Sequence, residues 1–212
     1  MKTCLLVIAF FISFQMISFS QYGYGTELTG TFVLPIGKNA EYYNVGFGGL
    51  VGFYYDITEN FRLALALGYL RSGINESKVN SLYASGGQDA DIKGGVGAIP
   101  ALISLRLISP GSGMRFYGML EGGLYTYRTS FTGTYGSGAP VDESEFRSEP
   151  AFVFGGGVLF PFNKELSLDV NIRYHWIQDS EYLNYDSGNS LGNSRILSLG
   201  VGVNWFFPLV EN

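Results

Sequence analysis

In the stretch LSLDVNIRYHW, Leu166 to Trp176, every even position is apolar or aromatic, whereas Ser167, Asp169, Asn171, Arg173 and His175 fill the odd ones. A period of two is the signature of a β-strand with one apolar and one polar face. The same alternation recurs, and it predicts eight strands over 26–36, 43–55, 61–72, 93–108, 114–128, 150–162, 165–177 and 194–207. Many of these exceed the roughly 5 or 6 residues of an ordinary soluble strand. A tilted strand crossing a bilayer needs about 9 to 11 residues. Beyond the N-terminal segment no amphipathic helical run stands out, so the chain reads as all-β.

The connections fall into two alternating classes. DITEN (56–60), SPGSG (109–113) and FPFNKE (160–165) are short and carry the Asp, Asn, Gly and Pro that turn dihedrals favour. GKNAEY (37–42), residues 72–91, residues 129–149 and residues 178–194 are longer and polar. Short turns at one end and long loops at the other suit an up-and-down transmembrane barrel. A soluble sandwich is the alternative fold, and ten strands the variant if the second and third long loops extend their flanking strands.

Aromatic positions sharpen the membrane reading. Strand seven ends in Tyr174 and Trp176, strand eight in Trp205 and Phe207, and strand three runs from Phe61 through leucines to Tyr69. Aliphatic middles with aromatic ends predict two girdles at the lipid headgroup levels. The final strand sets Leu197, Leu199, Val201, Val203, Trp205 and Phe207 against Ser198, Gly200, Gly202 and Asn204. Small residues on the inner face of a narrow barrel make room for larger ones opposite.

Residues 1–20 read as a secretory signal peptide: Lys2, an apolar run Leu5–Phe14, then Ser18-Phe19-Ser20. Residues 21–212 form the predicted barrel domain. Cys4 precedes the apolar run, so the remainder has no cysteine for disulfides or thiol chemistry. Without Lys2 the chain carries 12 Lys and Arg against 18 Asp and Glu, a net charge of −6. That balance argues against a nucleic-acid partner, which requires a basic stripe. The 30 glycines among 212 residues, roughly twice the average share, stand beside abundant aromatics, which excludes low-complexity disorder as their cause.

The signal peptide, the long alternating strands, the segregated loops and the aromatic last strand LSLGVGVNWFF together resemble the small outer-membrane β-barrels of Gram-negative bacteria, the OmpA/OmpX-like porin-family domains. The resemblance spans the whole mature chain. It implies residence in the outer membrane, lipid and lipopolysaccharide as surroundings, and the barrel-assembly machinery as a partner during biogenesis. Here PLVEN extends past Phe207, and a cell-wall tether through a peptidoglycan-binding domain is not expected.

With the apolar face outward, strand parity turns Glu27, Arg62, Arg106, Glu121, Asp169, Asn171, Arg173, His175 and Asn204 into the lumen. An arginine at the lipid-facing midplane would cost about 2 to 4 kcal/mol. Both signs of charge occur, so Glu121 and Asp169 are expected to pair with some of Arg62, Arg106 and Arg173 and to close the lumen. A gate that admits ions or small solutes is the alternative.

Catalysis has little to work with. His175 is the sole histidine, and Ile177 stands where the lipid A deacylases that such barrels resemble would place serine. Asp179, Ser180 and Glu181 have a different spacing. No metal or cofactor is expected: a lone histidine lacks companion ligands, and Asp142, Glu143, Glu145 and Glu149 read as a solvated surface, at most one that holds divalent cations. IGKNA lacks the residues of a phosphate loop. Asn75-Glu76-Ser77 is a glycosylation-type triplet without a bacterial role. The Tyr-, Ser-, Gly- and Asn-rich loops suit adaptable surface contacts.

Overall fold

A computed structural model describes residues 23–37, 40–84, 90–135, 139–178 and 194–208. Residues 1–22, where the signal peptide is expected, residues 179–193, and the tail after Pro208 lie outside them.

The alternating segments become eight antiparallel strands: β1 Gly23–Ile36, β2 Gly46–Thr58, β3 Phe61–Gly73, β4 Ala90–Ile108, β5 Arg115–Tyr135, β6 Ala139–Pro161, β7 Leu166–Ile177 and β8 Ser194–Pro208. Each pairs with its neighbours in sequence, and β1 pairs with β8 from Gly23↔Pro208 to Ile36↔Arg195, which closes the barrel. Closure excludes the sandwich. The second and third long loops do extend their flanking strands, but they lengthen β4, β5 and β6 to 19, 21 and 23 residues without adding to the number of strands. This corrects the expected boundaries at 93, 128 and 150, because the extra residues pair across a continuous ladder from Leu124↔Pro150 to Tyr135↔Ala139.

One helix was not expected. α1, Glu76–Ala84, stands in the connection from β3 to β4. Its amphipathic signal is weak, and among the side chains described Val79 is buried. Asn75 starts it: the Asn75 side-chain oxygen accepts from the Ser77 hydroxyl at 2.8 Å and from the Lys78 amide at 3.4 Å, which is the work of an N-cap. Val79 then packs with Ile74, Ile92 and Phe131, with Tyr42 and Tyr43 alongside. Tertiary packing overrides the weak local pattern.

Inside and outside alternate along β1 without a break from Gly23 to Val33. The inner face is buried. The outer face presents large apolar side chains, with Leu28, Phe32, Phe47 and Leu120 more than 60 % exposed.

Candidate functional site: the barrel interior and its wall

The interior is stacked in tiers from the short-turn end to the long-loop end. Ile108, Tyr117, Met119 and Leu159 form an apolar floor. Near it the Arg62 guanidinium grips Asp56 through two bonds, Nε to Oδ1 at 2.6 Å and the second through Oδ2 at 3.0 Å, and lies 3.6 Å from the centre of the Tyr54 ring. Arg106 donates both terminal nitrogens to Glu27 at 2.7 and 2.8 Å. A planar guanidinium matched to a carboxylate this way gains geometric as well as electrostatic strength. The Tyr117 hydroxyl sits 2.8 and 3.0 Å from the two Asp169 oxygens.

Higher up, His175 is clamped at both ring nitrogens, Nδ1 at 2.5 Å from the Tyr125 hydroxyl and Nε2 at 2.7 Å from the Ser198 hydroxyl. A neutral imidazole satisfies two such partners by donating through one nitrogen and accepting through the other. Above stands a second apolar tier of Val33, Leu70, Ala98, Leu102, Tyr125, Tyr127, Ala151, Val153 and Ile177. The α1 cluster lies beyond it, on the inner face of the extended β4 and β5.

All the expected lumen residues, Glu27, Arg62, Arg106, Glu121, Asp169, Asn171, Arg173, His175 and Asn204, are buried. Their pairing differs from expectation. Arg106 is held by Glu27 and Arg62 by Asp56, not by Glu121 and Asp169, and Asp169 takes a tyrosine instead. The Glu121 carboxyl and the Arg173 guanidinium make no hydrogen bond among the described residues. Parity assigns a face and not a height, so it could not say which acid meets which base.

Two interior features carry no signal in the alternation of charged positions. Asp56 sits in β2, which continues through it with a register shift between Asp56 and Thr58, rather than in a turn. The upper apolar tier breaks the rule that inward positions are small or polar, so strand parity alone hides it. Inner glycines have a steric cause: a Cβ on Gly52 would fall 2.6 Å from Glu27 Cγ, and one on Gly157 would fall 2.7 Å from the Tyr117 hydroxyl.

On the wall, rings gather at both ends. Phe154 packs on Tyr174 with centroids 4.7 Å apart and Phe152 on Trp176 at 5.9 Å, toward the long loops. Toward the short turns, Trp205 stacks on Phe207 at 6.0 Å and Tyr24 on Phe207 at 5.4 Å. Tyr69, Trp176 and Trp205 are exposed; Phe61, Tyr174 and Phe207 are half-buried. The backbone of Asp142, Glu143 and Glu145 belongs to β6. Asp179, Ser180 and Glu181 lie outside the described residues. No three potential metal ligands cluster among those described.

No family model matches the chain, and no curated protein does. Solved structures do. OprG, an outer membrane protein from Pseudomonas aeruginosa, superposes with a TM-score of 0.55 at 10% identity, over 90% of this chain and 98% of that one. Neisserial surface protein A gives 0.51 at 17% identity over 89% and 98%. A major outer membrane protein from Thermus thermophilus gives 0.50 at 14% over 88% and 99%. At such identities the likeness is one of fold: this chain has the eight-stranded architecture of small outer-membrane β-barrels.

Proposed function

We propose that the protein is an integral outer-membrane β-barrel with a filled lumen, and that its role is structural or one of surface interaction rather than catalysis or transport. One observation carries this reading: the polarity is inverted, with ion pairs inside and large exposed apolar side chains around the whole wall. Soluble monomers rarely expose contiguous apolar patches beyond a few hundred Å². A belt of hydrocarbon contact stabilises such a surface, and bilayer lipid together with lipopolysaccharide would supply it. The β7 strand supports the dimension. Its 12 residues at about 3.3 Å each, tilted by about 40°, rise about 30 Å, the thickness of a hydrocarbon core.

Export through a signal peptide at residues 1–20 and insertion by the barrel-assembly machinery belong to the same proposal. The occluded lumen rests on the two apolar tiers that bracket the ion pairs, since an eight-stranded barrel is just wide enough for its own side chains to fill. His175 has a serine and a tyrosine as partners, but all three are buried within the upper lumen, away from any lipid at the wall.

Planar-bilayer recording of the purified protein tests the occlusion. Neither the wild type nor Arg173→Ala should give channel steps. Discrete, reproducible steps from the wild type would replace this reading with a small-solute pore.

A further inference from the structure

Toward the long loops, the outer faces of β3, β4 and β5 carry two cations in register. The pairs Arg71↔Gly97 and Gly97↔Arg128 set an arginine on either side of one glycine, their Cα atoms two strand spacings or about 10 Å apart. Both side chains are exposed, and neither meets a carboxylate among the described residues. The Tyr69 ring lies across the glycine between them, since a Cβ on Gly97 would fall 2.8 Å from the Tyr69 hydroxyl. Arg128 sits 5.4 Å from the centre of the Phe146 ring, a face contact that holds it at the rim without consuming an N–H group.

Below this row, toward the bilayer centre, the same wall carries a groove of about 660 Å³. Leu65, Leu67 and Leu124 border it, Ala101, Ile103 and Gly122 lie among them, and no charged side chain lines it. Small outward residues create the depression: a Cβ on Gly122 would meet no atom within 4 Å, whereas the next outward residue along β5, Leu120, is large and 65 % exposed. From Gly97 down to Ile103 is six residues, which at about 3.3 Å each and a tilt of about 40° descend about 15 Å, half the thickness of a hydrocarbon core. That is the reach of an acyl chain in a single leaflet.

We propose that this wall binds one lipid of the leaflet on the long-loop side, with a phosphate monoester headgroup between Arg71 and Arg128 and an acyl chain in the groove beside Ala101 and Gly122. A phosphate monoester carries about two negative charges near neutral pH and so matches two guanidiniums, with the Tyr69 hydroxyl as a further donor. A phosphodiester matches only one of them. A second copy of the barrel pressed on this wall would set arginines against arginines, which disfavours it as the occupant. The proposal rests on the reading of the protein as a membrane barrel.

The test refolds the full chain into phosphatidylcholine vesicles doped with phosphatidic acid or with phosphatidylglycerol, extracts it in mild detergent, and counts retained lipids by native mass spectrometry. The wild type should keep one phosphatidic acid, favoured about tenfold over phosphatidylglycerol. Arg71→Gln with Arg128→Gln should abolish that preference. Gly122→Leu, which fills the groove where space is open, should weaken retention about tenfold although both arginines remain. Equal retention of phosphatidic acid and phosphatidylcholine overturns the proposal. So does retention that needs the arginines but ignores Gly122→Leu, which would be attraction of anions to the rim alone, and so does a lipid-free dimer that Gly122→Leu dissociates. Heat-modifiable gel migration and vesicle insertion are read on the same samples; failure there refutes the membrane barrel itself, whereas an inserted barrel without the preference refutes only the lipid site.

Discussion

Glu27 and Arg106 form the strongest interior contact, bidentate and about 1 % exposed on each side chain. Removing one partner of such a pair leaves an uncompensated buried charge, typically a loss of about 3 to 5 kcal/mol. Glu27→Ala should therefore destabilise the barrel by about that much in urea unfolding from lipid vesicles. Replacing both partners, as in Glu27→Leu with Arg106→Met, should recover most of the loss; a double variant as unstable as the single one would show that the charge is not the cause. Gly52→Val should act on the same pair from the opposite strand, since its side chain would occupy the place of Glu27 Cγ. Parity alone made the inward direction of Glu27, Arg106 and Arg173 legible. The partner of each was not legible, because Arg106 and Glu27 stand 79 positions apart and their heights depend on the stagger around the closed sheet.

The strands were legible as elements because a sheet with one buried face repeats every two residues, as β7 does throughout. α1 was not, since its Val79 packs on Ile74, Ile92 and Phe131 from elsewhere in the chain. Val79→Ser should consequently speed hydrogen exchange across Glu76–Ala84 while leaving the heat-modifiable migration of the barrel unchanged; equal loss of both would mean that the helix and the barrel unfold as one unit. Tyr43, packed beside this cluster, gives it a pH limit. Burial pushes the hydroxyl up to about 12 from 10.0, so the neutral form is the one held in the fold. The contribution is complete below about pH 10 and declines as the pH rises toward 12 and above, a decline that Tyr43→Phe should abolish in the same exchange measurement.

At the scale of the whole molecule, the sequence carried the fold because lipid, loop and lumen each impose a separate pattern: apolar alternation on long strands, polarity in one set of connections, and small or charged residues on the inner face. It left the height of the sheet extension open, since residues 129–149 are polar whether they form a loop or a ladder in water. The inverted polarity predicts the response to charge on the wall. Ile103→Arg, at a position 56 % exposed in the midst of apolar neighbours, should cost about 2 to 4 kcal/mol in vesicles. In a water-soluble barrel the same exposed substitution would be close to neutral. The two tryptophans, Trp176 toward the long loops and Trp205 toward the short turns, report on the wall directly. Refolded into vesicles whose acyl chains are brominated at different depths, the protein should show strongest quenching of tryptophan emission with bromines near the headgroups and weaker quenching with bromines at the bilayer centre. Emission unaffected by bromine at every depth would place both girdles in water and contradict the membrane barrel.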